Sequence, residues 1–240
     1  MTHPLDGAYL RLDRAQEHLT ELKNIVGVFL RDEYEIAHKT AELNPEPGVP
    51  FHFKRPESPI PLQIPLLVGE TVYNLRACLD YLIYELAILD SGRRQDGTQF
   101  LIEDSPDRFK RRAKSCLKGI SSLHAAEIER LQPYNGVNWT KMLRNISNPD
   151  KHRHLVLQQH SSGVTAKTSQ DPADMKIPDA PVTGIWLDSV MEFFDGSPSV
   201  YMQLHITLFI ALDNGLPVIE TLEEIQAQVS HTIDAFKPEF

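Results

Sequence analysis

The stretch VGETVYNLRACLDYLIYELAIL, Val68–Leu89, decides how the chain folds. Its apolar positions Val68, Val72, Leu75, Leu79, Leu82, Leu86 and Leu89 are spaced 4, 3, 4, 3, 4 and 3 residues apart, which places them in one stripe along a long helix. Asp90-Ser91-Gly92 follows, and glycine at the end of such a run predicts a left-handed C-cap. Working back along the chain, Leu12, Ala15, Leu19, Leu22, Val26 and Phe29 repeat the pattern, with no proline among them. Two matching stripes predict two long helices packed on each other. Between them, residues 45–65 hold 7 of the 17 prolines, a density that argues against helix or central strand and predicts an extended connector over about 44–65.

Working forward, Ser105-Pro106-Asp107 predicts the start of a third helix, with a cap, a proline at the first position and an early acid; Gly119 closes it. Its apolar side is Phe109, Ala113, Cys116, Leu117 and Ile120. Its other side carries Arg108, Lys110, Arg111, Arg112, Lys114 and Lys118. A short helix over Leu123–Leu131, a turn at Pro133–Gly136 and a helix bearing Trp139, Met142, Leu143 and Ile146 come next, with Asn148-Pro149-Asp150 read as its stop.

Beyond Asp150 the period falls from 3.6 towards 2. His154–Gln159, Ile185–Phe194 and Tyr201–Ala211 are rich in β-branched and aromatic residues, and Gly163, Gly184 and Gly196 are read as turns of a three- or four-stranded antiparallel sheet. Residues 169–181 read as a loop. Asp213-Asn214-Gly215 ends the last strand, and Pro217 opens a helix that faces the core with Val218, Leu222, Ile225, Val229 and Ile233. The expected class is α+β: a helical bundle over 1–150, then sheet and closing helix over 151–240, packed as one unit.

The chain has 240 residues, 41% hydrophobic and 24% charged, the composition of a globular protein. The longest uncharged apolar run, near Leu204–Leu212, is too short to cross a bilayer, and the first residues lack a basic start with an apolar run; both predict a cytoplasmic protein with no membrane partner. Cys78 and Cys116 have no motif spacing and read as reduced, buried thiols.

The net charge of −9 hides a division: residues 170–240 carry 12 acids and 2 bases, whereas residues 106–154 carry 11 bases and 4 acids. The basic part predicts at most weak contact with nucleic acid through residues 106–118, candidates being Arg108, Lys110, Arg111, Arg112 and Lys114.

Arg76, Asp80 and Tyr84 stand at i, i+4 and i+8 and therefore share a helix face, where the plain reading of Arg76 and Asp80 is an intrahelical ion pair. The sharper reading is a site in which Arg76 positions a phosphate or carboxylate, assisted by Asp80 or a tyrosine. Near Asp150-Lys151-His152-Arg153-His154, two histidines would share a side if extended, but the spacing supplies no third and fourth ligand for zinc. That cluster reads instead as a helix-to-sheet junction, with Asp150, His152 and Arg153 as its polar members, and no metal or cofactor is expected. Phosphate-binding glycine loops, GxSxG elbows and HExxH helices do not occur.

Asn74–Leu86, Leu131-Gln132-Pro133-Tyr134 and Ser147-Asn148-Pro149-Asp150-Lys151-His152-Arg153 together resemble a family of uncharacterised bacterial and phage-encoded proteins. Its members often carry histidine at the position of Tyr81, and Arg76 followed by that histidine is similar to the motif of HEPN-type helical bundles, many of them RNases of toxin and antiphage systems. The resemblance implies a HEPN-like bundle, with Arg76, Asp80 and Tyr81 as the catalytic candidates. A phenol, titrating near 10 against about 6.5 for imidazole, is a poor base at neutral pH. The leading expectation is therefore a non-catalytic or degenerate HEPN-like binding or assembly module, homo-oligomeric through its long helices. The alternative is an RNase or other phosphoryl-transfer hydrolase of phage-defence or toxin type.

Overall fold

Apolar spacing sets the helix boundaries. In the computed structural model, which describes residues 3–42, 58–152, 157–169, 185–186, 190–193 and 200–240, the chain runs from α1 (Asp6–Glu42) to α2 (Gln63–Ser91). Next come α3 (Pro106–Cys116), α4 (Ser122–Arg130), a 3₁₀ turn (Pro133–Asn135) and α5 (Asn138–His152). The strands are β1 (Leu157–Ser169), β2 (Ile185–Trp186), β3 (Val190–Phe193) and β4 (Val200–Leu212), and α6 (Val218–Phe236) closes the chain. This is an α+β protein, mostly helical, with an antiparallel sheet in which β4 pairs β1, β2 and β3.

The chain divides into two compact units. The first is Met1–Glu21, Pro65–Leu155 and Glu220–Phe240; the second is Leu22–Ile64 and Val156–Ile219. This grouping differs from a division at residue 150: most of α6 belongs with the helices, because its apolar stripe Leu222, Ile225, Val229 and Ile233 is fully buried in their unit.

Within the first unit, Gly7 lies against Tyr81, Arg11 bonds Asn74 and His18 meets Glu70, so α1 and α2 run antiparallel. Tyr9 bonds Asp234 and Gln16 bonds Gln226, so α6 is antiparallel to α1 as well. The α2 stripe is buried from Val68 through Leu86, each leucine contributing roughly 1.5–3 kcal/mol. Leu89 departs from the expected face and is 43% exposed, because it lies in the final turn of the helix.

Capping chemistry follows the sequence closely. Ser105 accepts from the Arg108 N–H, Gly92 (φ 70°) donates to the Ile88 carbonyl, and Gly215 (φ 80°) turns the chain after β4. Two expected breaks are absent. The α5 helix passes Pro149 and Asp150 and ends at His152, since a proline in a last turn removes one backbone bond without preventing the next residues from staying helical. Gly163 is not a turn but lies inside β1, where the β1–β4 register shifts between Ser162 and Thr165, a place for the small residue at a bulge. The connector core 43–57, the expected turns Gly184 and Gly196 and most of the 169–181 loop lie outside the described residues.

Where α2 meets α4, Asp90 accepts from the Ser121 N–H at 2.7 Å and from His124 Nδ1 at 2.8 Å. Desolvation alone would raise the Asp90 pKa, but these hydrogen bonds outweigh it and hold the carboxyl below its ordinary value. A depressed folded pKa gives stability that is present above the unfolded value of about 4 and is lost as pH falls through the lower folded value. Urea melts across pH 2–6 should therefore show a loss of stability below about pH 4, and Asp90→Asn should flatten that part of the profile.

Candidate functional site

Residues 73–84 of α2 point two ways. Leu75, Cys78, Leu79, Leu82 and Ile83 are fully buried, while Tyr73, Arg76, Ala77, Asp80, Tyr81 and Tyr84 line an open groove of about 410 Å³. The i, i+4 spacing of Arg76 and Asp80 brings them to the backbone of the same residue, Phe100. Asp80 Oδ1 accepts from the Phe100 N–H at 2.8 Å, and Arg76 Nη2 donates to the Phe100 carbonyl. The two side chains also approach each other at 3.9 Å, and the Arg76 guanidinium stands 5.9 Å from the Phe100 ring centroid. Burial lowers the Arg76 pKa, Asp80 counteracts it, and Arg112 of α3 lowers it further. Arg76 and Asp80 are thus an interacting pair, but one that also clamps a third element.

That element is Gln99–Glu103, which has neither helix nor ladder bonds although Phe100, Leu101, Ile102 and Glu103 are buried. A buried backbone must find partners. Side chains supply several of them: Gln132 Oε1 accepts from the Glu103 N–H at 2.8 Å, and Gln132 Nε2 donates to the Leu101 carbonyl at 2.9 Å and the Ile128 carbonyl at 3.0 Å. The Gln99 N–H donates to the Cys116 carbonyl at 3.1 Å. Glu103 turns its own carboxylate to Arg112 at 2.7 Å. Gln132 was legible only as part of Leu131-Gln132-Pro133-Tyr134; a glutamine directly before a proline-led turn was the available signal.

Tyr81 is 40% exposed and Tyr73 56% exposed. The Arg11 guanidinium from α1 sits 5.9 Å from the Tyr73 ring centroid and 5.8 Å from that of Tyr81, a cation over two phenols. Arg11 also donates to Asn74 Oδ1 at 3.2 Å. The groove accordingly joins phenols, two guanidinium groups and one carboxylate. Cys78 is a buried thiol whose pKa burial pushes up to about 12, so it is no nucleophile near neutrality.

On α3, Arg108, Lys110, Arg111 and Lys114 are exposed, as is Lys118 beyond the helix end. Arg112 is exposed too, but its guanidinium is bound to Glu103. Of the junction residues, Asp150 and His152 fall in the last turn of α5, so His152 is helical and not extended; Arg153 and His154 lie outside the described residues. Among the described residues, no group of three or more His, Cys, Asp or Glu is placed to hold a metal ion, and no helix is long and apolar enough to cross a membrane. No family model, curated protein or solved structure matches the chain.

Proposed function

We propose that the chain is a non-catalytic, HEPN-like binding and assembly module. The observation that carries this reading is the clamp on Phe100: Arg76 and Asp80, the residues a phosphoryl-transfer site would need, both bind the backbone of that residue. A general base must reach the substrate proton, whereas Asp80 Oδ1 accepts from the Phe100 N–H and the Arg76 guanidinium, its side chain 16% exposed, commits Nη2 to the Phe100 carbonyl. The antiparallel α1, α2 and α6 support the bundle part of the reading, and the exposed tyrosines of α2 supply its binding surface.

The RNase reading is favoured by one observation, the groove lined by Arg76, Asp80 and Tyr81. The two are separated by incubating labelled single-stranded RNA with the native chain, Arg76→Ala and Tyr81→Phe. The module reading expects no cleavage above a protein-free blank in any of them. Cleavage by the native chain that falls at least tenfold in Tyr81→Phe would establish the enzyme.

The α3 face completes the proposal as a weak, non-specific phosphate contact. Fluorescence anisotropy with a labelled single strand should give a Kd in the range of roughly 10⁻⁴–10⁻⁶ M, falling in affinity with salt by a log–log slope of about −0.7 for each phosphate engaged. Arg111→Glu with Lys114→Glu is the fitting control, because changing Arg112 would also break its bond to Glu103. Salt-insensitive binding would contradict the electrostatic picture.

A further inference from the structure

His124 of α4 is buried with one ring nitrogen satisfied and the other not. Its side chain is 8% exposed, and Nδ1 meets Asp90 Oδ2 of α2 at 2.8 Å. The Asp90 carboxyl, held below its ordinary value, is ionised across the neutral range and can only accept, so Nδ1 carries the hydrogen. In a neutral ring that leaves Nε2 as a bare lone pair. Nε2 has no hydrogen-bond partner among the described residues, and a buried polar atom without one costs free energy. Its surroundings add to that cost: Glu239 Oε2 stands 3.7 Å away, a second acceptor.

Glu239 belongs to the 3₁₀ turn Lys237–Glu239 that follows α6. A ring that has taken up a proton donates from both nitrogens, to Asp90 on one side and towards Glu239 on the other. We infer that His124 is a proton-operated latch for this turn: a proton taken from solvent onto Nε2 ties Glu239 to α4, and its loss releases the carboxylate.

The neighbours of the ring support this assignment. Among the described residues, the charged groups in ion-pair range of the imidazole are Asp90 and Glu239. Ser121 Oγ accepts from the His124 backbone N–H, and the Phe236 ring of α6 lies edge-on with its centroid 6.0 Å away, so neither supplies Nε2 with a donor. The turn's remaining contacts are to the start of the chain. Lys237 Nζ is 5.2 Å from the Tyr9 ring centroid, and the Phe240 ring lies edge-on to His3 at 6.1 Å. His3 is therefore a second imidazole beside this segment and requires its own control.

The sign follows from the lone pair. The Nε2 contact exists on the acid side of the ring's titration and is lost as pH rises through it, the reverse of the Asp90 contribution, which is lost as pH falls. An ordinary imidazole changes charge near 6.5, so the latch works in a range where Asp90 stays ionised.

Long-range ¹H–¹⁵N spectra of the full chain, labelled at histidine, read the hydrogen on each ring nitrogen between about pH 5 and 8. Nδ1 of His124 should keep its hydrogen throughout, and Nε2 should gain one as pH falls. The Phe240 amide, which donates to the Lys237 carbonyl, reports on the turn. Its exchange rate, divided by the intrinsic rate at each pH, should be about threefold lower at the acid end, a modest factor because Glu239 is half exposed. Glu239→Gln should abolish that response, since a neutral amide offers Nε2 a donor or an acceptor in either state. His3→Phe should leave it in place. An Nδ1 that proves to be the bare nitrogen overturns the latch, as does a Phe240 amide whose protection is the same at both ends of the range. A response that survives Glu239→Gln, or vanishes in His3→Phe, overturns it too, the latter by assigning the effect to His3.

Discussion

Gln132→Ala is expected to be among the most destabilising single changes in the first unit, costing about 2–5 kcal/mol. The native side chain accepts from Glu103 N–H and donates to the carbonyls of Leu101 and Ile128, and it is fully buried. Alanine leaves the Glu103 N–H and the Leu101 carbonyl desolvated without their side-chain partner, each worth about 1–3 kcal/mol. Ile128 suffers less, since its carbonyl also receives the Leu131 N–H. In a chain of this size, 1 kcal/mol moves Tm by about 2–4 °C, so a fall of roughly 10 °C should appear in a thermal melt. Gln132→Glu should not rescue it: the carboxylate keeps the acceptor but turns an anion towards two carbonyl oxygens. Lys118→Ala, at an exposed position, should stay within about 0.5 kcal/mol of native. A Gln132→Ala melt indistinguishable from native would mean that Gln99–Glu103 finds its stability elsewhere.

The second large effect belongs to the clamp. Asp80→Ala removes the acceptor of the Phe100 N–H and leaves the mostly buried Arg76 guanidinium without its carboxylate neighbour. Arg76→Ala removes the donor to the Phe100 carbonyl and the cation beside its ring. Each should cost about 2–3 kcal/mol, the partial exposure of Asp80 keeping its share below the 3–5 kcal/mol of a fully buried pair. Because both hold the backbone of one residue, the double variant should fall short of the sum by about 1–2 kcal/mol. Urea midpoints at constant m-value give the cycle. Two silent singles, or strict additivity, would remove the clamp and with it the main support for a non-catalytic module.

Arg76 also shows what the sequence could and could not reveal. Its pairing with Asp80 follows from helix spacing alone, as do the stripes of α1, α2 and α6 and the caps at Ser105, Gly92 and Gly215, because each is a local pattern within a few residues. The peptide they hold is not local. Phe100 lies 20 residues from Asp80 and 24 from Arg76, and Glu103 lies 29 from Gln132, so no periodicity connects them. Gly163 and Pro149 misled for a different reason: both are breakers on average, yet a bulge accommodates the first and the closing turns of a helix accommodate the second. The tyrosines of α2 were visible as residues, but their exposure depends on which arc of the helix the other helices cover. The groove therefore became legible only with α1 in place.

The dependence of Gln99–Glu103 on side chains for its backbone partners has a kinetic counterpart. In an ordinary strand or helix, an amide proton exchanges with solvent only when the ladder opens, which is a cooperative event. The amides of Phe100 and Glu103 are instead held by the tips of Asp80 and Gln132, each of which leaves by turning about its own bonds. Deuterium should therefore enter these two positions through small, independent fluctuations, while Leu75, Leu79 and Leu82 on the same helix as Asp80 wait for α2 itself to unwind. Strand-like burial would coexist with loop-like exchange, on timescales set by rotamers and not by unfolding.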